Sequence, residues 1–460
     1  MKSIITLFLS LCIHFKSYSQ SITLPKLTFT EIQALQFPEE GQILYDLTFK
    51  CLRVYNGTKW ISTTQNSGMG VEDYTSLSKV YGETFVNTAL PVSKFETETY
   101  AHSSYIKIIN NTCYVLYMCN DKENFEGGIN QKIRLSTFNL LMPTQKTITE
   151  IAQPSQTSGS FTLDNMGLQV PNMLQISQDT LRLFFRGSVS KNRTILYRDY
   201  SLTTGALTNF KTVKATIARN QSIVPLNLLN VYAHLDYLFG PGHGIGEIQD
   251  FFMTSEIEKI DDALYSVISV GSGLGKTTTS ILVKSTDNGA TWSFLGAPDP
   301  RFLPGTNSMV TKYMWEGAIT SSSTEIYLFC RSVNNGITLT KANKSNLYNF
   351  TIPIKIWNTG NAKPLVFNYP GIGLIGLFES SSSIEPNLLS NRTALDVVRI
   401  SNNYSAFTKL YTISDYSGIH TPSYCLYNNE IFISYTGDKL RRTPKNCGQI
   451  FFSRLKRNSF

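Results

Sequence analysis

From about residue 98 to the end, apolar and polar positions alternate in short runs broken by turn residues. Strands send successive side chains to opposite faces and give this period of two, whereas a helix repeats at 3.6. No convincing amphipathic helix is expected in this stretch. Six segments share one plan: a polar or small residue near a turn, an apolar strand, a turn, an aromatic-rich strand, then a third strand. They begin near His102 (AHSSYIKIINNTCYVLYMC), Pro171 (VPNMLQISQDTLRLFFRG), Asp250 (QDFFMTSEIEKIDDALYSVIS), Glu316 (WEGAITSSSTEIYLFCRS), Lys363 (AKPLVFNYPGIGLIGLFES) and His420 (HTPSYCLYNNEIFISYTG). Their starts lie 69, 79, 66, 47 and 57 residues apart, too irregular for a strict short repeat. Four-stranded sheets joined by variable loops account for such spacing. The pattern predicts an all-β chain: a six-bladed β-propeller over residues 98–460, preceded by a small N-terminal β-hairpin module.

That module covers residues 21–66. Residues 30–35 predict a short helix stopped by Pro38 and Gly41, and residues 42–46 and 51–55 read as strands. Asn56-Gly57 is a strong turn into Lys59-Trp60-Ile61. Residues 67–97 are assigned to a linker and a propeller-closing segment. Residues 1–20 read as a secretory signal, with Lys2 ahead of a short apolar core and Ser17-Tyr18-Ser19 as a small-x-small cleavage site. The core is too short to span a bilayer. The expectation is an exported chain (periplasm, cell surface or secreted) with no membrane span once mature. The run PEEGQILYDLTFKCLRVYNGTKW resembles a small module at the start of exported Bacteroidetes proteins, which implies an attachment or spacer role.

Composition narrows the function. Charged residues make up only 16%, while Tyr (24) and Phe (27) are abundant, a balance suited to half-buried strands. Removing Lys2 and Lys16 with the leader takes the net charge from +8 to +6, and no Lys/Arg run exceeds Arg441-Arg442. A nucleic-acid footprint would be denser, so the excess reads as a mild preference for anionic ligands. Six cysteines follow the leader, and the sequence selects no pairing among them. Cys113 and Cys119 stand about 20 Å apart on one strand and should not bond each other. No Cys/His cluster has zinc spacing, so neither metal nor cofactor is expected. The run Gly271-Ser272-Gly273-Leu274-Gly275-Lys276-Thr277 imitates a phosphate-binding loop, but Val270 stands where its first Gly belongs and a strand follows where a helix is needed.

Ser285-Thr286-Asp287-Asn288-Gly289-Ala290-Thr291-Trp292 matches S-x-D-x-G-x-T-W, the Asp-box of sialidase-like propellers. Its role there is structural, closing a tight hairpin. The resemblance to sialidases extends loosely over residues 98–455. Glu316 and Arg331 stand at the family's spacing between a catalytic-pair Glu and the Arg ending the next strand. Arg392 begins the pattern R-x-x-L-x-V, where the family places a carboxylate-binding Arg. Two departures stand out. Tyr100-Ala101-His102-Ser103 replaces the family's Tyr-Arg-Ile-Pro, removing the first Arg of its carboxylate-binding triad. The nucleophilic Tyr is expected near the start of the last blade, where His420 falls, with Tyr424 or Tyr416 as register alternatives. For the acid/base carboxyl, Asp121, Glu123 and Glu126 are candidates.

In a propeller the innermost strands open at one mouth, so His102, Asp250, Glu316, Lys363 and His420 are expected to converge. Arg186, Arg331 and Arg392 would form a second ring. His234 and His243 lie in an aromatic, Gly-rich stretch, residues 231–247, read as a loop. Glycoside hydrolysis needs an acid for the leaving oxygen and a nucleophile or base opposite. The catalytic candidates are Glu316, His420, Tyr424, Asp121 and His102. Arg331, Arg392, Lys363, Asp250 and His234 would bind substrate, the arginines by forked bonds to an acidic group. The expected partner is an acidic oligo- or polysaccharide, and nucleic acid is not expected. Two alternatives stay open. A lyase on uronic-acid glycans would use His102, His420 and Tyr424, since His titrates near neutrality. A non-catalytic glycan-binding propeller would stack sugars on Tyr232, Tyr237, Phe239 and Trp315, leaving Glu316 and the arginines as ion pairs between blades.

Overall fold

The structure is a computed structural model. It describes residues 24–48, 51–57, 60–62, 98–123, 126–143, 145–240, 250–271, 278–299, 314–332, 336–357, 362–370, 373–380, 394–401, 404, 406–412, 417–428, 430–438 and 449–456. The signal, residues 67–97, His243, Arg392, Tyr416 and the imitation phosphate loop from Ser272 lie outside them. The chain divides into two compact units, Met1–Gln65 and Asn66–Phe460.

In the first unit, Thr28 caps the helix Phe29–Gln33 through a reciprocal pair with Glu31. Ile43–Asp46, Cys51–Tyr55 and Trp60–Ser62 form an antiparallel meander, with Lys26–Leu27 parallel to the first strand. Ile32, Leu44 and Trp60 make its small core. Arg53 and Asp46 form a fully buried pair at 2.6 Å.

Among the described residues, the second unit has six larger sheets in succession and a two-stranded ribbon, Thr157–Ser158 with Phe161–Thr162. The first comprises Tyr100–Ile109, Thr112–Asn120, Lys132–Asn139 and Lys146–Ala152; the second comprises Gln169–Ser177, Thr180–Val189, Asn192–Ser201 and Lys211–Thr212. In the third, Asp250–Met253 and Glu258–Ile260 pair with Ala263–Gly271, followed by Thr278–Ser285 and Thr291–Phe294. Its outer edge is extended by Lys214–Thr216, lying parallel to Thr291–Phe294, and by Ile223–Pro225. The fourth opens with Met314–Ser321 and Glu325–Ser332, the fifth with Leu365–Tyr369 and Gly373–Ser380, the sixth with Ser417–Tyr427 and Glu430–Asp438.

Both faces of these sheets are buried, which explains their nearly continuous apolar strands. In Glu325–Ser332, Ile326, Leu328 and Cys330 enter the core shared with the third sheet, while Tyr327 and Phe329 enter the one shared with the fifth. Separate cores join first to second, second to third, and onward to fifth and sixth. A further core joins the sixth sheet back to the first through Phe432, Phe452, Ile106 and Val115.

One element departs from the sequence reading. Residues 231–247 were expected as a loop, but Leu228–Phe239 is a helix capped by Asn227, whose side chain accepts from Asn230 N. Val231 and Leu235, one turn apart, bury one face against the core between second and third sheets. Cys113, Cys119, Cys330 and Cys425 are free and buried.

The Ser285–Trp292 hairpin is locally self-sufficient. Asp287 accepts from Thr291 N at 2.8 Å, Ser285 Oγ accepts from Gly289 N at 2.9 Å, and Trp292 Nε1 donates to Gly289 O. Gly289 sits at φ 77°, and a Cβ there would meet Phe184 at 2.9 Å. Trp292 is fully buried.

Candidate functional site

A cavity of about 60 Å³ receives residues from all six sheets. The first sheet and its loop contribute Ser103, Tyr105 and Glu126; the second contributes Val170. Phe252 and Thr254 come from the third, Trp315 and Glu316 from the fourth. Lys363, just ahead of the fifth, and Thr421 of the sixth complete the wall.

The innermost strands reach this point through β-bulges. Pairing slips between His102 and Tyr105, Gln169 and Asn172, Trp315 and Gly317, and His420 and Ser423. Inside those slips Ser103, Val170, Glu316 and Thr421 adopt φ of 49°, 40°, 55° and 49°. Such values are unusual for side chains with a Cβ and strained for β-branched Val and Thr. A bulge turns an extra residue off the ladder, here at four equivalent places facing one cavity. Hydroxyls from neighbouring sheets latch two of them: Ser103 N donates to Thr436 Oγ1 at 3.2 Å and Glu316 N to Ser269 Oγ at 2.9 Å.

The charged groups fall into two kinds. Glu316 is paired with Arg331 at 3.0 Å. Glu126, half exposed, stands 3.8 Å from His102 Nε2, and His102 Nδ1 lies 3.1 Å from Thr436 Oγ1. Lys363 is buried; its Nζ donates to Tyr105 Oη at 3.2 Å and lies 4.4 Å from that ring's centre. Tyr105 in turn donates to Thr254 O at 2.8 Å. Burial pushes the Lys363 ammonium below its ordinary pKa, against the pull of Glu256 and Glu316. Phe252 and Trp315 meet edge to face at 5.6 Å and give the cavity an apolar corner.

Several expected site residues lie elsewhere. Asp121 is held by Arg134 through two 2.7 Å bonds and by Lys132 at 2.9 Å. Burial raises its pKa, but the bonds from Arg134 and Lys132 outweigh that and hold it below the ordinary value. A carboxylate so fixed carries no proton near neutrality, which disqualifies it as a general acid. Tyr424 is stacked on Phe367 at 4.2 Å and donates to Glu258 at 2.8 Å. Burial, then the neighbouring Glu258, pushes its pKa well up, and it does not line the cavity.

His234 is on the helix, stacked on Phe294, with Nε2 2.6 Å from Leu295 O. Burial pushes its pKa down to about 4, so it is a neutral packing group. Asp250 is engaged by Arg186 at 3.3 Å and Arg193 at 3.6 Å. Arg186 also bonds Gln169 and covers Phe252 from behind; burial pushes its pKa down to about 10. Tyr232, Tyr237 and Phe239 lie on the helix, leaving Trp315 as the named aromatic at the cavity. His420 occupies the strand position before cavity residue Thr421, opposite Thr436.

Of the expected residues, Glu316 and Lys363 line the cavity, with Arg331 and His102 directly behind Glu316 and Glu126. Of the three acidic candidates, only Glu126 lines it. Tyr105, Phe252, Thr254 and Val170 were not foreseen as lining residues. All four stand at or close to segment starts, which is the one signal the sequence carried for them.

No family model and no curated protein sequence matches the chain. Solved structures do. A protein of unknown function from Dyadobacter fermentans is similar at 11% identity and a TM-score of 0.55, over 79% of this chain and 96% of that one. The Hadza microbial sialidase Hz136 is similar at 9% and 0.52, over 80% and 68%. Trypanosoma rangeli sialidase is similar at 9% and 0.50, over 77% and 55%; this chain spans about half of that enzyme's length. The chain thus has a sialidase-like all-β fold. No helix among the described residues is long and apolar enough to cross a membrane.

Proposed function

We propose that the chain is an exported six-bladed β-propeller acting on acidic glycans as a sialidase-like glycoside hydrolase, with its N-terminal module serving as an attachment or spacer. Six sheets with six intervening cores, the last leading back to the first, support the propeller reading. The hairpin closed by Asp287 and Gly289 supports the Asp-box reading. The observation that carries the function is the cavity itself, where a buried cation, two carboxylates and an aromatic corner meet. Glu126 is the acid for the leaving oxygen, with His102 beside it. Glu316, aligned by Arg331, acts on the opposite side as base or as activator of the attacking group. Trp315 packs against the sugar's apolar face.

A second reading, glycan binding without turnover, draws on the tie between Tyr424 and Glu258, which takes a candidate nucleophile away from the cavity. Mass spectrometry of products from sialosides and uronic-acid polysaccharides separates these. Products heavier by one water, lost in Glu316→Gln, support hydrolysis. Unsaturated products without that water indicate a lyase, and intact substrate indicates binding alone.

A further inference from the structure

Buried cations in the second unit are generally compensated. Arg134 meets Glu98 and Asp121, Arg182 meets Asp199, and Arg186 meets Asp250. Arg198 is satisfied by the backbone carbonyls of Ile151 and Thr208. Lys363 differs. An ammonium has three donors, and this one has a single acceptor, the neutral oxygen of Tyr105. No described carboxylate lies within ion-pair distance of it. Glu256 and Glu316 attract it only from beyond that distance, and buried donors without an acceptor are costly, so the cavity it lines is where a partner would complete it.

The cavity is graded in exposure. Lys363, Tyr105 and Thr421 are buried, while Glu126, Trp315 and Glu316 are more exposed. About 60 Å³ is open to the centres of water-sized groups, against the roughly 10–15 Å³ that one water needs on that measure, so a carboxylate fits beside Lys363.

From this we infer that ligands enter carboxylate first: the carboxylate sits on buried Lys363 Nζ, and the body of the ligand lies toward the more exposed Trp315 and Glu126. Lys363 is thus a cation that selects acidic ligands. That the body is a sugar rests on the function proposed above; the carboxylate receptor does not. A compact ammonium reads charge without imposing a planar fork, and the bulkier guanidinium of Lys363→Arg would fill the space meant for ligand.

Ligand-observed NMR on the full chain tests this with acetate against acetamide, and with N-acetylneuraminic and glucuronic acids against their methyl esters. Each acid should bind at least about tenfold more tightly than its neutral counterpart. Lys363→Met should reduce that preference to about one, with undiminished thermal stability. Equal binding of acetate and acetamide by the unaltered protein overturns the inference without any variant, as does an acid preference that survives in Lys363→Met. Acetate binding that needs Lys363, without binding of either sugar acid, keeps the receptor and removes the glycan reading. Absence of binding by acetate and both sugar acids overturns the receptor itself.

Discussion

Two charged clusters in the second unit are built on opposite principles. On the first sheet, Arg134 contacts Glu98 and Asp121 at 2.7 Å, Lys132 spans Asp121 and Glu150, and Tyr117 donates to Glu98 at 2.9 Å. Each charge there has an opposite partner. At the cavity, Lys363 has a phenol oxygen and empty space, and the backbone around it is held in strained bulges at Ser103, Val170, Glu316 and Thr421. The first arrangement closes on itself and leaves nothing for a ligand to complete. The second leaves Lys363 with one hydrogen-bond acceptor and only distant attraction from Glu256 and Glu316, which a ligand can complete. Unsatisfied charge combined with strain, rather than density of charged residues, distinguishes the candidate site.

The contrast is broken most directly at Arg134. Arg134→Met strands buried Glu98 and should lower unfolding free energy by about 3–5 kcal/mol in urea titration, leaving ligand binding at the cavity unchanged. A loss of cavity binding at intact stability would erase the distinction. His234 supplies the next effect. Its pKa is pushed down to about 4 in the fold against an ordinary 6.5, so between those values the unfolded chain takes up a proton that the folded one refuses. Stability is therefore complete above pH 6.5 and falls as pH drops toward 4, by about 3 kcal/mol at 1.36 kcal/mol per unit. Urea titrations at pH 7 and 4.5, repeated with His234→Leu, should show the slope shrink.

Asp287→Ala removes the acceptor of Thr291 N and should cost about 1 kcal/mol in the same assay, again with no change at the cavity. The smallest effect on stability belongs to Lys363→Met. Removing a buried charge that has no carboxylate within ion-pair distance among the described residues should leave stability unchanged or raise it by about 1 kcal/mol, while acid selectivity collapses. A marked loss of stability would place Lys363 with the structural cluster instead.

How much of this was legible in the sequence depended on whether local pattern decides the outcome. Period-two alternation identified the strands. Glu316 and Arg331 were singled out by the spacing that sialidases share, and they meet because Trp315 and Arg331 face each other across adjacent strands. Segment starts pointed to one end of the innermost strands, where Lys363 and Glu316 line the cavity. Asp121 misled because a carboxylate in a loop beside a strand reads the same whether it faces a substrate or Arg134. The bulges were invisible because Ser103, Val170, Glu316 and Thr421, not glycines, take the left-handed backbone, with Ser103 and Glu316 held there by Thr436 and Ser269. The helix Leu228–Phe239 was missed for a related reason. Its aromatic content resembles strand, and only Asn227 and the spacing of Val231 and Leu235 signal otherwise.

The central claim, that this cavity acts on acidic glycans, is tested most directly by product mass spectrometry with the unaltered chain and Glu316→Gln side by side. The account predicts released acidic sugar carrying one added water from the unaltered chain and none from Glu316→Gln. Turnover undiminished in Glu316→Gln, or no product from any sialoside or uronic-acid polysaccharide, would contradict it.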